Sequence, residues 1–203
     1  MIGKFFKSAA ICLALASGSA ASQRAQAATM SFVVDRTNSS VSLASTDRLC
    51  VLSNCGVTAS LASSLRNGNS YEIGTGDSAT FDFLTLTGRG LGWADYTISA
   101  VLAFSSPRLT VSGTGSLFTT TAFGRIVDGS LIWDAIAPIV VNGSEFLISF
   151  GSGSELFDDG SRRITTTATL TGVNVVPLPA TGLLLVAALG SLALIRRRRM
   201  LGA

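Results

Sequence analysis

The stretch "WADYTISAVLAF", Trp93 to Phe104, decides the fold class. Tyr96, Ile98, Ala100, Leu102 and Phe104 recur at every second position, with Asp95, Thr97 and Ser99 between them. A strand sends successive side chains to opposite faces, so this pattern predicts a strand with one buried and one solvated face. A helix would repeat its apolar residues every three to four positions, and no such period runs between Thr29 and Val176. The alternation returns in Phe146, Ile148 and Phe150, and again in Ile164, Thr166, Ala168 and Leu170. In "TFDFLTLT", Thr80 to Thr87, it changes phase between Phe83 and Leu84, which predicts a β-bulge.

Turn chemistry separates these runs. Asn67-Gly68, Gly88 to Gly92, Asp128-Gly129, Asn142-Gly143 and Asp159-Gly160 carry the residues that tight turns require. About ten short strands at this spacing predict an all-β fold, an antiparallel β-sandwich or jelly roll. Asn38 and Asn142 each open an N-x-S triplet and are read as turn residues.

Both ends of the chain differ from its middle. Lys4 and Lys7 precede the apolar "AAICLALA", and Ala25-Gln26-Ala27 has the small-x-small form of a signal-peptidase site. Residues 1–27 are therefore expected to be a secretory signal peptide, cut between Ala27 and Ala28. At the other end, Thr181 to Ile195 contains no charge, and Arg196, Arg197, Arg198 and Arg199 follow it. Counted from Leu178 as a helix, this run spans about 27 Å, close to the ~30 Å hydrocarbon core. One transmembrane helix at about 178–195 is expected, with the arginines as a cytoplasmic stop-transfer cluster. Residues 28–175 are then the exported domain, large enough for a core of its own.

The chain carries a formal charge of +3, but its ends account for that. Between Ala28 and Val176, eight arginines face twelve acids, a net charge of −4. A mildly acidic domain offers no electrostatic case for nucleic acid. Cys50 and Cys55 are the cysteines left after signal removal, and export makes "CVLSNC" a disulfide candidate. Two thiols without a histidine make a poor metal site, so no cofactor is expected.

The chain contains no histidine, and its exported part contains no lysine. Ser-His-Asp, Cys-His and Ser-Lys chemistry is thereby excluded. Carboxylates, with Tyr71 and Tyr96, are left to move protons. Asp158-Asp159 in "LFDDGSRR" is the adjacent acidic pair, read as a hairpin tip, with a calcium loop or a glycosidase-like pair as alternatives. Trp93 and Trp133 are expected in the core, with a sugar-stacking platform as the alternative.

Val176, Pro177, Leu178, Pro179 and Ala180 read "VPLPA", directly before the apolar span and arginine cluster. This composite resembles the PEP-CTERM sorting signals of Gram-negative surface proteins, in their VPLPA variant. The resemblance covers Val176 to Arg199. It implies processing by an exosortase, a membrane-embedded cysteine transpeptidase, with passage through the inner membrane to the cell surface or an exopolysaccharide matrix. The middle also looks like domains that accompany such tails, through its C-x4-C pair and "LAFSSP" at Leu102 to Pro107; that likeness carries no known activity. A second reading starts from Leu178-Pro179-Ala180-Thr181-Gly182, which is also the L-P-x-T-G form of sortase substrates. It would make Thr181 the acyl donor to a cell wall. Val176-Pro177 and the lack of a wall-spanning stalk favour the exosortase reading. The expected role is a non-enzymatic surface or matrix protein. A carbohydrate-binding module for exopolysaccharide is the first alternative, and a carboxylate-dependent glycan hydrolase the last.

Overall fold

A computed structural model describes residues 28–51 and 54–176. The expectations for the signal peptide, the transmembrane helix and the arginine cluster fall outside these residues. Among the described residues no helix is long and apolar enough to cross a membrane.

The described chain is all-β: eleven strands in two antiparallel sheets, with one 3-10 turn at Glu155–Phe157. The first sheet orders β4 (Ser70–Gly74), β1 (Thr29–Val34), β6 (Gly92–Ser106), β7 (Arg108–Ala122) and β8 (Arg125–Trp133). Strand β2 (Ser40–Cys50) joins β6 along the same edge as β1. The second sheet orders β3 (Gly56–Leu61), β5 (Ser78–Arg89), β11 (Arg163–Asn174), β10 (Ser144–Phe150) and β9 (Ile139–Val141).

The alternation seen in the sequence is the alternation of burial. Tyr96, Ile98, Ala100, Leu102 and Phe104 are all buried, and so are Phe146, Ile148, Phe150, Ile164, Thr166, Ala168 and Leu170. Their shared faces close one core. Phe32 of β1 meets Phe104 edge-on at 5.4 Å and Phe146, across the other sheet, at 4.8 Å. Tyr71 of β4 stacks on Phe81 of β5 at 4.7 Å, a second aromatic link between the sheets. Among the described residues the core cluster runs from Phe32 to Val175.

The bulge lies where the phase change predicted it. Against β11, Leu84 pairs with Thr166 and Asp82 with Thr167, which leaves Phe83 as the extra residue. Phe83 and Leu84 are both fully buried. An extra residue kinks the strand and lets two consecutive side chains enter the core, which strict pleating forbids.

Three expectations need correction. The strands are not uniformly short: β6 and β7 have 15 residues each and pair along their whole length. Asp128-Gly129 is no turn but lies inside β8, opposite Thr120 and Thr119. The turn before it is Phe123-Gly124, with both residues at positive φ (51° and 78°). Gly129 is glycine for another reason: a Cβ there would stand 2.9 Å from the ring of the buried Phe157. Asp158-Asp159 is not a hairpin tip either, since the connection from β10 to β11 is long and contains the 3-10 turn. Phe157 in that turn plugs the core, so the connection is held by apolar burial.

Other turns follow their residues. Asn142-Gly143 joins β9 to β10 with φ of 51° and 80°, the paired positive values that a two-residue hairpin needs. Asn38 closes the β1–β2 corner, donating its backbone N–H (3.1 Å) and side-chain amide (2.6 Å) to the Asp35 carboxylate. Those hydrogen bonds hold the Asp35 carboxyl below its ordinary pKa.

Candidate functional site

The VPLPA stretch, read in the sequence as a sorting motif, begins just after the last described strand. β11 finishes at Asn174, and Val175 is buried. The Val175 N–H donates to Thr75 Oγ1 at 2.9 Å, and the Val176 N–H to the fully buried Ser144 Oγ, also at 2.9 Å. Val176 leaves its own side chain 45% exposed. The first motif residue is thus fastened to the domain without an intervening linker. Pro177, Leu178, Pro179, Ala180, Thr181 and Arg196 to Arg199 lie outside the described residues. Ala28 emerges beside this point, because Thr29 pairs with Gly74 and Val175 bonds to Thr75.

Cys50 and Cys55 form a disulfide, with Cα atoms 5.3 Å apart. It joins the end of β2 to the approach of β3, and so staples the two sheets at one end. The stapled loop packs on the start of β6, where a Cβ on Gly92 would stand 2.8 Å from Cys55 Sγ.

Neither tryptophan is in the core proper. Trp93 is half-buried on the outward face of β6, opposite Leu49 and Thr120. Trp133 is half-buried at the end of β8, with its ring 5.0 Å from Phe150 and its Nε1–H donated to the Gly151 carbonyl at 3.1 Å. It lines a shallow groove of about 250 Å³ with Asp134, Ile136, Leu147, Ser149 and Ser152. Asp134 is fixed from two directions: its N–H donates to the Thr114 carbonyl at 2.8 Å, and Oδ2 accepts from Thr114 Oγ1 at 2.5 Å. Strand β9 pairs only with Ser144 to Phe146, so β10 runs beside the groove with no strand on that side from Leu147 onward. The sequence singled out Trp133 but not these neighbours. They come from the β8–β9 connection, from β10 and from the start of the β10–β11 connection, whose meeting no local pattern records.

The acidic candidates do not converge. Asp158 and Asp159 are exposed on the β10–β11 connection. Among the described residues no three of Asp, Glu, Cys and His stand close enough to hold a metal ion. Tyr96 has its hydroxyl engaged by the Val57 N–H at 2.9 Å, and Tyr71 is stacked against Phe81.

Comparison with protein-family models, with curated proteins and with solved structures returns no match.

Proposed function

We propose that this protein is an exported, non-enzymatic surface or matrix module, carried by its tail to an exosortase-type transpeptidase at the inner membrane. The observation that supports it most directly is the seating of Val175 and Val176, whose N–H groups are bonded to Thr75 and Ser144 of the folded domain. The apolar span and the arginines follow Val176 in the order of a delivery signal, after the last described strand. Fastening Val176 to Ser144 holds the start of the proline motif against a folded body. Proline lacks a backbone donor and disfavours helix in the residue before it, so the motif is presented extended to the processing enzyme.

The test is the mass of the mature protein from cells with and without that enzyme. The proposal expects a C-terminus shortened within or after Val176 to Ala180 in the first strain only. A cut between Thr181 and Gly182 would instead assign the tail to a sortase. An intact Ala203 in both strains would reduce the tail to a plain anchor.

A second reading, glycan binding, is favoured by the Trp133 groove. An indole with its N–H already bonded offers its ring face, and Asp134, Ser149 and Ser152 supply polar partners at the rim. In a glycan-array screen of residues 28–176, Trp133→Ala is then expected to lower affinity about tenfold or more, by the worth of one stacking contact. Equal binding by the variant would remove Trp133 from the reading.

A further inference from the structure

The chain contains two Asn-Gly pairs, Asn67-Gly68 and Asn142-Gly143, and both asparagines are exposed. Such a pair carries its own chemistry. The glycine backbone nitrogen can attack the asparagine side-chain carbonyl carbon, because no Cβ on glycine obstructs the approach. A bond from that nitrogen to Cγ forms, the Cγ–Nδ2 bond breaks, and ammonia leaves. Water then opens the cyclic imide to aspartate, or to isoaspartate, whose main chain runs through the former side chain. Neither sequence nor exposure separates the two pairs. Hydrogen bonding does.

At Asn67 both reacting groups are held. Its Oδ1 accepts from the Arg36 N–H at 2.6 Å and the Thr37 N–H at 3.3 Å, and its Nδ2 donates to Thr37 Oγ1 at 2.9 Å. The nucleophile is held as well, since the Gly68 N–H donates to the Val34 carbonyl at 3.0 Å. At Asn142, among the described residues, no hydrogen bond engages the side chain or the Gly143 N–H. The space beside Gly143 is open, with no atom within 4 Å of where its Cβ would stand. The hairpin itself is weakly held: β9 has three residues, pairs only with β10 and leaves Val140 71% exposed. Attack requires Asn142 to leave its turn conformation, and a short edge strand opens locally at little cost.

We infer that Asn142 is a site of spontaneous deamidation and that the fold protects Asn67 from the same reaction. The reaction needs no enzyme, only water and time. Its product falls at a sensitive place. Isoaspartate lengthens the main chain between Val141 and Ser144, whose pairing closes a loop of two residues. Ser144 is also the residue whose Oγ accepts the Val176 N–H. A loop that no longer fits its hairpin therefore disturbs the seat of the tail.

The experiment is peptide mapping by mass spectrometry of protein purified from exporting cells and aged in mildly alkaline buffer, with and without denaturant. In the folded protein Asn142 is expected to deamidate at least about tenfold faster than Asn67, whose several hydrogen bonds must open before attack. In denaturant the two rates should converge, because glycine follows both. Asn142→Gly leaves a Gly-Gly loop that a two-residue hairpin accepts, so it should remove the site and keep the melting temperature. In the isoaspartate fraction the Val176 N–H should exchange faster than in unmodified protein, and unchanged exchange would overturn the link to the tail. Equal rates at the two asparagines in the folded protein would overturn the inference, by showing that local hydrogen bonds do not decide. An Asn142 that reacts only in denaturant would also overturn it, because the hairpin would then hold its turn against the attack.

Discussion

Phe32→Ala is expected to lower the stability of the domain by about 3–5 kcal/mol, measured by denaturant unfolding of residues 28–176. Phe32 is fully buried and, among the described residues, is the one ring that touches both Phe104 of its own sheet and Phe146 of the other. Its loss removes the transfer free energy of a large side chain and both edge-to-face contacts, and it leaves a void between two stiff sheets. Phe104 and Phe146 sit on strands paired on both sides and cannot move in to fill the space, so the void persists. A domain of this size is stable by only about 5–15 kcal/mol in total. The variant should therefore unfold near physiological temperature. A loss below about 1 kcal/mol would show that the sheets close without this contact.

The second large effect is expected at the other end of the chain. Replacing Pro177 and Pro179 together by alanine should leave export intact and stop processing, so that the full tail persists in the mature protein. Alanine restores two backbone donors and is the best helix former, so a helix in the apolar run can extend upstream through the motif. Under the proposed sorting role, the peptide bonds offered to the transpeptidase would then become helical and self-bonded. Neutralising Arg196 to Arg199 has a different signature. Each arginine costs about 2.5–3.5 kcal/mol at the bilayer centre, so their loss should release chain rather than retain it. Mass spectrometry of membrane and medium fractions separates the two. Normal processing of the double alanine variant would show that extension of the motif is not what the enzyme requires.

The parts of the fold that were legible in the sequence are those set by a two-residue period. The faces of β6, β10 and β11 followed from counting, and even the bulge at Phe83 left a trace, because it places two apolar residues side by side. Cys50 and Cys55 paired as their spacing and export suggested. Turn chemistry was less faithful. Asp128-Gly129 has the composition of a hairpin, yet that glycine makes room for Phe157, twenty-eight residues away in the chain. The true turn, Phe123-Gly124, was hidden because phenylalanine is a poor turn residue. The Trp133 groove was legible in one residue only. Asp134 is aimed by Thr114, and Ser149 lies on an edge exposed because β9 is three residues long. Such facts arise from how strands end beside one another.

The placement of the two poles has a mechanical consequence. Ala28 and Val176 leave together beside β4, while Phe123 and the stapled loop crown the opposite end, separated by a path of about 45 Å along β6. A pull between the crown and the tail acts along the strands. The interstrand hydrogen bonds lie across that direction. The tail continues β11, which is an interior strand, paired with β5 over nine residues and with β10 on its other side. Tension is therefore met by two ladders loaded in shear, whose bonds must yield together, whereas an edge strand pulled sideways would unzip bond by bond. The interior place of β11 thus makes the domain resist being drawn out by a pull at Val176.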